Sequence, residues 1–97
     1  MSIDEIYLKI ASDISNEIKT QWCVASVTCE LEEDAAEFDC VYIDDLDSAV
    51  EHDFDVSYET YKAFKKLHEI TTEGGEQKWS RAKFTLYPAG EFIIDFE

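Results

Sequence analysis

The sequence predicts an α+β domain: two helices packed on one face of a four-stranded antiparallel sheet, in the order α-β-β-α-β-β. Three observations predict it. Two stretches carry apolar residues at helical intervals, and each is followed by a pair of alternating stretches. The connections within each pair are short enough for hairpins, and 97 residues leave room for one hydrophobic core, so residues 1–97 are read as a single domain.

The first helix runs from about Ser2 to Lys19. Ile3, Ile6, Tyr7, Ile10, Ile14 and Ile18 fall on one side, with Asp4, Glu5, Lys9, Asp13 and Glu17 between them, and Ser2 is placed to cap the start. Trp22 to Leu31 then alternates. Cys23, Ala25, Val27, Cys29 and Leu31 share one phase, while Ser26, Thr28, Glu30 and Glu32 occupy the other, the signature of a half-buried strand. Glu33, Asp34 and Ala35 lead to its hairpin partner, Glu37 to Asp44, where Phe38, Cys40 and Tyr42 alternate with Asp39, Val41 and Ile43.

Asp45 to Val56 keeps neither period and is dense in carboxylates, so it reads as an exposed acidic loop with a short helical turn near Asp47 to Glu51. Ser57 caps the second helix, on which Tyr58, Tyr61, Phe64, Leu67 and Ile70 or His68 line one side while Lys62, Lys65 and Lys66 stay solvated. Thr71 to Gln77, with Gly74-Gly75, ends it. Trp79 to Tyr87 is the third strand, Pro88-Ala89-Gly90 the turn, and Phe92, Ile94 and Phe96 mark the closing strand. This arrangement leaves one sheet face open, carrying Thr28, Glu30, Asp39, Arg81, Lys83 and Thr85.

Charge is the strongest functional signal. No lysine or arginine occurs between Lys19 and Lys62, yet that stretch holds thirteen carboxylates: Glu30, Glu32, Glu33, Asp34, Glu37, Asp39, Asp44, Asp45, Asp47, Glu51, Asp53, Asp55 and Glu59. The formal net charge of −15 lies almost wholly there. It exceeds the magnitude of about 2–8 that solubility alone calls for in a small domain. Such a field attracts cationic partners and repels nucleic acid and anionic membrane. Trp22, Tyr42, Phe54 and Tyr58 accompany the acids as candidate aromatic anchors of an interface.

Chemistry finds little support. The carboxylates lack an apolar frame that would drive two pKa values apart, and Ser and Cys residues lack a neighbouring base in a motif. Asp44, Asp45 and Asp47 do not complete a calcium loop, and Gly74-Gly75 is no phosphate cradle. His52 and His68 sit on different elements. Cys23, Cys29 and Cys40 have neither zinc-ligand spacing nor an even count, so all three read as small buried strand residues in a reducing compartment. No apolar run approaches a membrane span, and the opening is acidic where a signal peptide is basic, so a cytoplasmic location is expected. No cofactor or metal and no enzymatic activity is expected.

The run Ile6-Tyr7-Leu8-Lys9-Ile10-Ala11 to Ile18, just ahead of Trp22, resembles the opening of the YezG-type antitoxin and immunity family. Trp79, Lys83-Phe84-Thr85-Leu86 and Gly90-Glu91-Phe92-Ile93-Ile94-Asp95-Phe96 resemble its close. The resemblance implies a small cytoplasmic bacterial immunity protein that neutralises a cognate toxin, often a nuclease domain, as in contact-dependent growth inhibition. The centre of the chain is more acidic and richer in cysteine than the family pattern, which implies a different type of toxin. The partner-binding residues expected are Glu30, Glu32, Asp39, Asp44, Asp45, Asp47, Glu51, Asp53, Phe54, Asp55 and Tyr58. The alternative is an acidic protein-binding module, a nucleic-acid mimic or adaptor, without a toxin partner. Oligomeric state is not legible in the sequence.

Overall fold

A computed structural model of the chain describes residues 2–32, 35–44, 50–73 and 79–97. Its elements are α1 (Ile3–Glu17), β1 (Trp22–Leu31), β2 (Ala36–Asp44), β3 (Glu51–Asp53), α2 (Tyr58–Thr72), β4 (Arg81–Leu86) and β5 (Phe92–Phe96). The class is α+β, as expected. The sheet has five antiparallel strands instead of four, in the spatial order β3-β2-β1-β4-β5, and the chain order is α-β-β-β-α-β-β.

The additional strand is β3, which pairs Val41 with Asp53, Tyr42 with His52 and Ile43 with Glu51. It lies where an irregular loop was expected, and Glu51 is in extended pairing, not in a helical turn. Three residues reading Glu-His-Asp carry no apolar period; the strand pairs through main-chain N–H and C=O groups, which every residue but proline supplies whatever its side chain. Asp45 and Asp47, with the rest of 45–49, lie outside the described residues.

α1 begins at Ser2, whose Oγ accepts the Glu5 N–H at 3.2 Å, and it buries Ile6, Ile10 and Ile14 completely. α2 keeps the expected Phe64 and Leu67 in the core and Lys62, Lys65 and Lys66 exposed, but its buried face extends to Thr60 and Ala63 and leaves Tyr58 out. Thr60, Ala63, Phe64 and Leu67 face the core, Tyr61 is half-buried, and Tyr58 is 70% exposed. The reason lies on the other helix: the Thr60 hydroxyl donates to Asp13 Oδ2 at 2.9 Å, so a polar residue enters the helix interface with its hydrogen bond made. Lys9 Nζ lies 3.1 Å from the other oxygen of Asp13 and completes the link. Ser57 stands at the cap position of α2 without a side-chain cap bond.

β1 is central, and Ala25, Val27 and Cys29 are buried beneath the helices together with Ala82, Phe84 and Leu86 of β4. Each such side chain stabilises the fold by roughly 1.5–3 kcal/mol when large. An irregular step in register between Trp22 and Val24 turns Trp22 onto the core side. Cys29 and Cys40 are buried as expected, whereas Cys23 is half-buried with its sulfur 3.5 Å from the Ile43 and Asp44 carbonyls. Trp79 clasps the far end. Its indole N–H donates to Thr71 Oγ1 at 2.7 Å, its ring packs 4.9 Å from Phe96, and its carbonyl lies 2.9 Å from His68 Nε2. A carbonyl only accepts, so His68 carries its proton on Nε2.

Candidate protein-binding surface

Both helices cover one face of the sheet, and no element covers the other among the described residues. The register sets the uncovered face strand by strand. From β3 come Glu51 and Asp53, from β2 Ile43, Val41, Asp39 and Glu37, and from β1 Val24, Ser26, Thr28 and Glu30. β4 adds Thr85, Lys83 and Arg81, and β5 adds Ile93 and Asp95. All six residues expected on the open face, Thr28, Glu30, Asp39, Arg81, Lys83 and Thr85, are there.

Two shallow depressions mark this face. One, of about 260 Å³, is lined by Val24, Ser26, Val41, Ile43, Thr85, Glu51 and Lys83. The other, of about 110 Å³, lies between Thr28, Glu30, Glu37, Asp39 and Arg81. The surface is thus a half-buried apolar strip, Val24, Val41 and Ile43, rimmed by the exposed carboxylates Glu30, Glu37, Asp39, Glu51 and Asp53. Lys83 stands within it, and Arg81 has Glu97 as a neighbour at 3.7 Å. On α2, Lys62 meets Glu59 at 3.7 Å and Lys66 meets Glu69 at 3.9 Å.

Of the expected partner-binding residues, Glu30, Asp39, Glu51 and Asp53 converge on this face, and Asp55 is exposed just past β3. Glu32 does not join them. It is exposed beyond the end of β1 and lines a separate groove with Tyr61, Lys65 and His68. Asp44 belongs to the other phase of β2, with a side chain 20% exposed and His52 Nε2 3.8 Å away. The anchors are corrected too. Phe54 packs on the core 6.0 Å from Tyr42; Tyr42 stacks on His52 at 5.1 Å; Trp22 is half-buried on the same side. Tyr58 is exposed, but on the helix layer, where it lies 5.5 Å from Tyr61 with Lys62 Nζ 5.7 Å from its ring.

Aromatic residues therefore serve the covered side, and aliphatic residues are the apolar part of the open one. Glu37, Val24, Val41 and Ile43 were missed. The signal was present in β2, where Val41 and Ile43 occupy the phase that Asp39 marks as solvent-facing.

Among the described residues no group of His, Cys, Asp and Glu is arranged to hold a metal ion. Burial pushes the Cys29 thiol up to about 12, with Cys40 a smaller cause, and burial followed by Asp39, Asp55 and Asp53 pushes Cys40 up to about 11. Both are protonated and inert at neutral pH. No described helix is long and apolar enough to cross a membrane.

Comparison with protein-family models and with curated proteins returned no match. The motif residues that resemble the YezG-type family sit mostly in the core: Ile6, Ile10, Ile14, Trp79, Phe84 and Leu86 are buried, and Phe92, Ile94 and Phe96 pack against them. These speak to the fold, while Lys83, Thr85, Ile93 and Asp95 of the same motifs lie on the open face.

Proposed function

We propose that the protein is an immunity protein or antitoxin that binds a cognate basic toxin, a nuclease domain by the chemistry of its charge, and blocks its active site or an adjacent exosite. One observation carries this reading: an uncovered sheet face joins an aliphatic strip to a rim of five exposed carboxylates. Rim charges steer a cationic partner and set the association rate, and desolvating the strip supplies affinity. A nuclease grips phosphates with lysine and arginine, so carboxylates spaced along strands compete for the same groups. No catalysis is required of the protein.

The test is co-expression with the product of the adjacent gene, followed by association kinetics on the purified complex. Asp39→Lys, Glu51→Lys and Asp53→Lys together are expected to slow association about 10–100-fold at low salt and to flatten its salt dependence. Unchanged kinetics would remove this face from the proposal. A chromosomal DNA-binding protein captured in place of a toxin would favour the acidic module without a toxin.

A further inference from the structure

The two edges of the sheet are guarded differently. β3 is three residues long and exposes two carboxylates, a short and charged edge of the kind that discourages strand addition. β5 runs for five residues, Phe92–Phe96, with neither lysine, proline nor a break in register. Tyr87 N–H donates to the Glu91 carbonyl at 2.9 Å, and Arg81 and Glu97 exchange bonds of 2.8 and 3.2 Å. Antiparallel alternation then turns the backbone of Ile93 and Asp95 towards β4. The N–H and C=O groups of Phe92, Ile94 and Phe96 point outward, where no described strand pairs with them.

The flank of this edge is apolar. Tyr7 of α1 lies 5.2 Å from Phe92, while Asp13 reaches Thr60 on the opposite flank of the same helix. Ile93 is 52% exposed on the open face next to Asp95.

We propose that the free edge of β5 is a strand-addition site for an extended, lysine- or arginine-bearing segment of the protein partner. This rests on the reading that the partner is cationic. Charge selects that occupant over a second copy: pairing β5 with itself would bring two sets of Glu91, Asp95 and Glu97 together in chains that each carry −15. A cationic strand meets those carboxylates as complements, and main-chain hydrogen bonds supply the rest. The same charge that rejects self-pairing lets the edge remain unguarded.

The test is residue-resolved hydrogen exchange on the full chain, with a blocked seven-residue peptide alternating lysine and valine as the probe. At saturating peptide, exchange at Phe92, Ile94 and Phe96 is expected to slow by about tenfold or more, with Ile93 and Asp95 unchanged. The same peptide methylated on every amide nitrogen is expected to give no protection. Equal protection by the methylated peptide would overturn the proposal, as would binding that perturbs only Asp39, Glu51 and Asp53. Edge protection that appears without peptide and grows with protein concentration would overturn the choice of occupant in favour of self-pairing. Edge protection combined with failure of the Asp39, Glu51 and Asp53 reversal to slow toxin association would support the edge and remove the face alone.

Discussion

The two faces of the sheet are built by the same strands and obey opposite rules. On the covered face Cys29, Val27 and Ala25 meet Phe84, Phe64 and the isoleucines of α1, and burial decides every position. On the open face the neighbours one residue away are Thr28, Ser26 and Val24, and exposure leaves them free to be chosen for a partner. A large change on the covered face should therefore cost stability, and one on the open face should cost binding.

Phe64→Ala is the strongest test of that contrast. Phe64 is fully buried and packs 5.9 Å from Phe38, so its loss leaves a cavity worth about 3–5 kcal/mol, read from denaturant unfolding. A loss below about 1 kcal/mol would mean that the helix layer is not packed as described.

The buried thiols give a second, graded test. Their pKa values are raised on folding, so the unfolded chain deprotonates first. The stability that the protonated thiols contribute is complete below 9.0 and is lost as pH rises through about 11 for Cys40 and about 12 for Cys29. The unfolding midpoint should fall across that window, and less steeply in the Cys29→Ala, Cys40→Ala double variant. Alkylation at neutral pH should reach half-buried Cys23 well before the other two. Equal labelling of all three would place the covered face in contact with solvent.

The smallest change in stability is expected on the open face. Val41→Ser should alter unfolding free energy by about 1 kcal/mol or less while weakening binding of the proposed toxin partner about fivefold or more, as measured by calorimetry. The reverse pattern would make Val41 part of the core and remove the aliphatic strip from the interface.

Much of the fold was legible because amphipathic periodicity reports burial directly. α1 was read to within two residues at each end, its Ser2 cap is made, and the phase of β1 assigned Ala25, Val27 and Cys29 correctly. β3 was illegible because a ladder of backbone bonds leaves no trace in side-chain pattern. The face of α2 was read in the right phase at Phe64 and Leu67, but Tyr58 was included and Thr60 left out, because tyrosine reads as apolar and threonine does not, yet Thr60 has an acceptor on α1. The candidate surface was half legible: Glu30 and Asp39 meet as their strand parity allowed, Glu51 and Asp53 join them only through the unread β3, and Phe54, Tyr42 and Trp22 turned inward because large rings gain more from burial than from solvent.

The sequence by itself determined the class of fold, the two helices, the parity of the main strands and the concentration of negative charge, since each follows from residues close together along the chain. Only the tertiary structure decided which acids share a surface with aliphatic residues, that a fifth strand closes one edge, and that no described strand pairs with the outer edge of β5. Those outcomes depend on strand order and register, which are fixed by contacts between residues far apart in sequence and leave no local periodicity to read.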